Sequence, residues 1–170
     1  ALHRLAAGRM NDASRDTGAE AGSIHGVAVA IGGAGVLLRG RSAAGKSRLA
    51  EELADAARRR GWFGRLVADD RVQVARRGGR LVLSPHKAIA GQVERRGQGI
   101  FAVEHEAAVV LRLVVDLVDR DRPADDPPRM PAASERQASI SGVSVPRLTL
   151  AIGEPGAAQA VLELIDQLGA

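Results

Sequence analysis

Gly40-Arg41-Ser42-Ala43-Ala44-Gly45-Lys46-Ser47 decides how this chain reads. The stretch fulfils the pattern G-x-x-x-x-G-K-[ST], and its flanks supply the context that the pattern needs. An apolar run, Gly35-Val36-Leu37-Leu38-Arg39, leads in; Ser47-Arg48-Leu49-Ala50-Glu51-Glu52-Leu53-Ala54 leads out with helical spacing. In a strand–loop–helix unit the glycines let backbone N–H groups curl around phosphate oxygens, and the helix N-terminus adds partial positive charge. Lys46 is then placed for the β- and γ-phosphates, and the Ser47 hydroxyl for Mg²⁺. All eight residues, Gly40, Arg41, Ser42, Ala43, Ala44, Gly45, Lys46 and Ser47, are therefore expected to hold a nucleotide, with ATP and Mg²⁺ as cofactors.

Outward from the loop, Ile24-His25-Gly26-Val27-Ala28-Val29-Ala30-Ile31 is a β-branched run. With the Gly32-Gly33 turn and the strand before the loop it predicts a hairpin. The helix after the loop places Leu49, Leu53, Ala56 and Ala57 at helical spacing and is predicted to end by Gly61. Leu66-Val67-Ala68 predicts a short strand, and Gly78-Gly79 joins two alternating runs, 72–75 and 80–83, into a hairpin. Further strands are expected at 100–103, 111–117 and 143–152, and a terminal helix at 156–168. Residues 119–136, rich in Asp, Pro and Arg, read as an exposed loop. Hairpins around a single phosphate-loop unit predict an α/β fold whose core is a mixed sheet with few helices, not a doubly wound parallel sheet.

The chain has 170 residues, which predicts one domain. Residues 1–22 lack periodicity and an apolar signal core, and are expected to form a disordered or weakly docked arm; residues 23–170 form the domain. Cysteine is absent, which excludes disulfides, thiolate metal sites and thiol nucleophiles. The aromatic side chains are Trp62, Phe63 and Phe101, so the core must be built of Ala, Val, Leu and Ile. Acidic residues (20) nearly balance basic ones (24), and the basic residues form no clear stripe; nucleic acid is not an expected partner. No apolar run is long enough for a membrane helix, and a cytoplasmic location is expected.

The second constellation is Asp69-Asp70, at the end of the predicted strand 66–68. Phosphoryl transfer needs a carboxylate near the metal and a proton acceptor for the attacking hydroxyl. Two adjacent carboxylates at a strand end can divide those tasks, because consecutive side chains there point in opposite directions. Glu94 lies among arginines and glycines in Val93-Glu94-Arg95-Arg96-Gly97-Gln98-Gly99-Ile100, where it could serve Mg²⁺ or a salt bridge. These residues alone define Mg-nucleotide phosphoryl transfer. They leave open a small-metabolite or nucleoside kinase and a non-catalytic nucleotide sensor.

Taken in order, four segments resemble the catalytic domain of HPr kinase/phosphorylase. They are Ser23-Ile24-His25-Gly26-Val27, the loop 40–47, Leu66-Val67-Ala68-Asp69-Asp70, and the segment 93–100. The resemblance runs from about Ser23 to the C-terminus and is similar to the truncated, catalytic-domain-only forms of α-proteobacteria. It departs from the family in a longer stretch between Ser47 and Leu66, in the segment 104–107 and in the loop before Val143. It implies an ATP-dependent protein serine kinase acting on HPr or an HPr-like phosphocarrier, with dephosphorylation by phosphorolysis as the reverse reaction. Asp70 would accept the proton and His25 would orient it. Lys46 would hold phosphate, and Ser47 and Glu94 would serve Mg²⁺; of the adjacent pair, Asp69 is then left as the carboxylate near the metal. Arg129, in Pro128-Arg129-Met130, would match an arginine tied to dephosphorylation. The family assembly, a homo-hexamer, is the implied oligomer.

Overall fold

In a computed structural model, residues 20–122 and 130–169 are described. Most of the expected N-terminal arm, and Arg129, lie outside the described residues.

The chain runs through β1 (Glu20–His25), β2 (Val27–Ile31), β3 (Ala34–Gly40), α1 (Lys46–Arg59), β4 (Gly64–Ala68), β5 (Arg71–Arg77) and β6 (Arg80–Pro85). It continues through β7 (Gln92–Arg95), β8 (Gly99–Ala102), β9 (Val109–Val118), β10 (Gln137–Ile140), β11 (Val143–Ala151) and α2 (Ala157–Gln167). Among the described residues, nine strands form one mixed sheet in the order β1-β5-β6-β9-β3-β2-β4, with β11 beside β9 and β10 beside β11. The pairs β3–β9 and β9–β11 are parallel, and the remaining pairs are antiparallel. β7 and β8 form a separate two-stranded sheet.

The centre of the sheet is buried on both faces, which is why β2 and β3 read as continuous apolar runs rather than as alternating ones. On one face, Val27, Val29, Ile31, Val36, Leu38, Leu113 and Val115 meet Leu49, Leu53 and Ala57 of α1 and Val161, Leu162 and Ile165 of α2. On the other face, Ala28, Ala30, Leu37 and Val114 meet Val72, Val74, Leu81 and Leu83, because β5 and β6 curl over the sheet. The helices therefore cover one face only. α1 is amphipathic, with Leu49, Ala50, Leu53, Ala54 and Ala57 buried.

The structure corrects the sequence reading at three places. The run 24–31 is not one strand: it breaks at Gly26, so β1 pairs with β5 while β2 pairs with β3 and β4. A Cβ at Gly26 would stand 2.6 Å from the Leu38 carbonyl oxygen, which makes this corner a close backbone crossing. Second, the segment 93–100 folds as a hairpin, with Gln92 opposite Ala102 and Arg95 opposite Gly99. Third, β10 and a 3-10 turn at Ala133–Arg136 were not foreseen.

Gly26→Ala is expected to lower stability by about 1–3 kcal/mol, since the backbone oxygen it meets cannot swing aside as a flexible side chain would. A thermal melt checks this; an unchanged melting temperature would mean that the corner has room to relax.

Candidate active site

The loop between β3 and α1 takes its shape from three residues with positive φ: Gly40 at 152°, Ala43 at 62° and Gly45 at 82°. Gly40 is doubly constrained, because a Cβ there would lie 2.8 Å from the Leu117 carbonyl oxygen. Gly45 precedes α1 and offers no side chain to cap it, and no acidic residue stands in the first turn. The N–H groups and partial positive charge of that helix end are thus left for an anion.

Lys46 begins α1 and is buried at 7% exposure. Its ammonium donates to the Gly40 carbonyl at 3.0 Å and the Arg41 carbonyl at 2.8 Å. Burial lowers its pKa from the usual lysine value, and the charges of Asp69 and Asp70 partly restore it. The next residue, Ser47, donates its hydroxyl to Asp69 Oδ1 at 2.7 Å. The other Asp69 oxygen accepts from the Glu94 backbone N–H at 3.3 Å. Asp69 therefore links the start of α1 to the β7–β8 hairpin, and it is buried.

Asp70 faces a different setting. The Arg71 N–H donates to the Asp69 carbonyl at 2.8 Å, closing a tight reversal with Asp70 at its centre, at φ 66°. Aspartate is among the few side chains that tolerate this region. The Gly26 N–H donates to the Asp70 carbonyl at 3.1 Å, and His25 Nδ1 lies 3.2 Å from Asp70 Oδ1. The break at Gly26 thus docks the β1–β2 corner onto Asp70. The two carboxylates part at this reversal: Asp69 is 8% exposed, whereas the Asp70 side chain is 71% exposed.

His25, Ser42, Ala43, Ala44, Gly45, Lys46, Ser47, Asp69, Asp70 and Glu94 all line one cleft of about 450 Å³. Gly40 and Arg41 present their carbonyls to Lys46. A neighbouring cavity of about 630 Å³ follows α1 toward Trp62 and shares Ser47, Glu51, Val93 and Arg95 with the cleft. Among its rim charges Arg58 pairs with Asp55, Arg65 with Glu104 and Arg95 with Glu51.

The sequence reading missed the acidic end of β9. Asp116 accepts from Arg39 and Arg147, and Asp119 accepts from Arg41. The available signal was a single carboxylate in the apolar run 113–117. Burial pushes the Asp116 pKa up, but the hydrogen bonds and charges of Arg39 and then Arg147 outweigh it and hold the carboxyl below its usual range.

The fold and site define an α/β domain in which a glycine-rich strand–loop–helix unit opens onto an acidic cleft. The family model described as HPr Serine kinase C-terminal domain matches residues 16–167, and the chain belongs to that family. It is 39% identical over 142 residues to the HPr kinase/phosphorylase of Azoarcus sp., and 36% identical over 144 residues to that of Streptococcus thermophilus. Each match covers 79% of this chain and 43% of the relative, so the chain spans less than half the length of these curated relatives. The HPr(Ser) kinase/phosphatase structure from Coxiella burnetii shares the fold, with a TM-score of 0.66 and 24% identity over 85% of this chain and 88% of that one. Among the described residues no helix is long and apolar enough to cross a membrane.

Proposed function

We propose that this domain transfers the γ-phosphoryl group of ATP to a seryl hydroxyl of HPr or an HPr-like phosphocarrier. The observation that carries the reading is the division of labour at Asp69 and Asp70. One carboxylate is buried against Ser47, and the other is exposed beside His25 in the same cleft. Family membership supplies the substrate class.

The donor set fits Mg²⁺. Ser47 and Asp69 place hard oxygens together, and Glu94 lines the same cleft. Among the described residues no group of three or more His, Cys, Asp or Glu side chains stands ready to hold an ion alone. That suits an ion that takes one or two carboxylates and completes its shell with water and phosphate oxygens. Held there by Ser47, Asp69 and Glu94, Mg²⁺ would supply positive charge to neutralise the charge that develops in transfer.

In this scheme the loop amides and Lys46 bind the phosphates. Asp70 takes the proton of the seryl hydroxyl as its oxygen bonds to the γ-phosphorus. The bond from that phosphorus to the bridging oxygen breaks, and ADP leaves. His25 fixes the orientation of Asp70. Phosphorolysis is the corresponding displacement with inorganic phosphate in place of ADP: a phosphate oxygen bonds to the phosphorus of phosphoserine, the bond from that phosphorus to the serine oxygen breaks, Asp70 gives the serine oxygen its proton, and pyrophosphate leaves. Arg129 is assigned to that direction by resemblance alone. We place the domain in the cytoplasm as a homo-oligomer, with a hexamer as the state to test by light scattering.

The decisive assay incubates the protein with Mg²⁺, γ-labelled ATP and purified HPr-like carriers. Label on a carrier serine supports the reading. Label on small metabolites alone, or nucleotide binding without transfer, overturns it. Glu94→Gln is expected to raise the Mg²⁺ concentration for half-maximal transfer by roughly tenfold, the lower end of what a lost metal-supporting group costs. The backbone bond to Asp69 survives this change, so an unchanged Mg²⁺ dependence would assign Glu94 to structure.

A further inference from the structure

The geometry points to a positioning role for the end of β9: Asp116 and Asp119 hold the first residues of the loop so that the Gly40 and Arg41 carbonyls stay aimed at Lys46. This deepens the kinase reading and rests on it.

β9 runs parallel to β3 in a register that sets Asp116 opposite Arg39 and Leu117 opposite Gly40. Asp116 accepts two bonds from Arg39, from Nε at 2.7 Å and Nη2 at 2.8 Å, a fork-to-fork pairing that fixes direction as well as distance. It accepts a third from Arg147 Nε of β11 at 2.6 Å. One buried carboxylate thereby ties the three parallel strands together below the loop. Gly40 rests against the Leu117 carbonyl, as its missing Cβ allows. Asp119, just past β9, accepts from Arg41 Nη2 at 2.9 Å. Residues 39, 40 and 41 are thus held in succession by one strand end, and the carbonyls of 40 and 41 are those that accept from Lys46. A loop with glycines at both ends has little stiffness of its own. External struts therefore set where the ammonium sits.

Asp119→Asn is the primary test, because its pair lies at the surface and its loss leaves the core intact. The kcat and KM for phosphoryl transfer from Mg-ATP to an HPr carrier are measured and normalised to the folded fraction from circular dichroism at the assay temperature. The expected result is a kcat about tenfold lower, with a smaller rise in KM, since misplacing a group by ~1 Å can cost up to 10²-fold. Asp119→Glu, which keeps the carboxylate, should recover most of the loss. Asp116→Asn should lose more activity than its unfolded fraction explains. A wild-type kcat in Asp119→Asn overturns the proposal. So does a failure of Asp119→Glu to recover, or an Asp116→Asn loss that only matches unfolding. Should the wild-type chain transfer to no carrier, the kinase reading fails and Mg-ATP affinity decides the positioning role: weaker binding in Asp119→Asn supports it, and equal binding overturns it.

Discussion

Asp70→Asn is expected to cut serine phosphorylation by ~10²–10⁴-fold, the range that removal of a general base commonly costs. ATP binding should persist, because Lys46, Ser47 and the loop amides hold the phosphates without it. The fold should persist as well. Asn is tolerated at positive φ as Asp is, and the Gly26 N–H bonds to the backbone carbonyl of residue 70, not to its side chain. The neighbouring variant supplies the contrast. Asp69→Asn removes the acceptor of the Ser47 hydroxyl and of the Glu94 N–H, so it should weaken Mg-nucleotide binding more than it slows transfer from the bound state. Nucleotide affinity by calorimetry and single-turnover transfer, run on both variants, separate the two roles. Normal transfer in Asp70→Asn together with its loss in Asp69→Asn would reverse the assignment. Normal transfer in both would remove this pair from the chemistry.

Lys46→Ala is expected to lower the transfer rate by ~10²–10³-fold, the cost of deleting one preorganised charge aimed at the transferring group. Lys46 also holds two loop carbonyls, so the variant loses two hydrogen bonds, a stability cost of about 1 kcal/mol each. The aliphatic core of α1 does not depend on it, because Leu49, Leu53 and Ala57 make the contact with the sheet. A modest fall in melting temperature with a large fall in rate is the expected pair of measurements. A rate near wild type in folded protein would sink the phosphate-loop assignment.

Much of the strand order follows from local signals. The Gly32-Gly33 and Gly78-Gly79 turns sit where β2 meets β3 and β5 meets β6, and the helical spacing after Ser47 becomes α1. Other parts were not readable. The strand expected at 100–103 is β8, but β7 buries only Val93 and carries no apolar alternation, so its pairing with β8 was not legible. In the run 24–31 the one local signal of a break is Gly26, since a lone glycine in a strand pattern marks a bulge or a close backbone approach, but it does not say how the two halves pair. The split follows from the closeness of Gly26 to the Leu38 carbonyl, a contact made only when the sheet assembles.

The candidate site divides in the same way. Residues 40–47 bring their chemistry with them, because a turn, a helix start and a lysine within a few residues need only local geometry to make an anion site. The pair Asp69-Asp70 was expected to diverge by strand alternation, but the divergence comes from the reversal at Asp70, whose φ of 66° lies outside any strand. What each group then meets depends on chain segments far away in sequence. Asp116 reaches Arg39 across 77 residues because β9 lies parallel to β3 in one particular register, and a shift of one residue would turn that carboxylate to the opposite face. His25 reaches Asp70 because β1 pairs with β5 and leaves its last residue at the β4–β5 reversal. The sequence by itself determined the turn, the helix start and the lysine at residues 40–47, to which the proposed function gives the phosphates. The tertiary structure decided which carboxylate is buried and which is exposed, because burial and partners are properties of the packed sheet and not of any short stretch of chain.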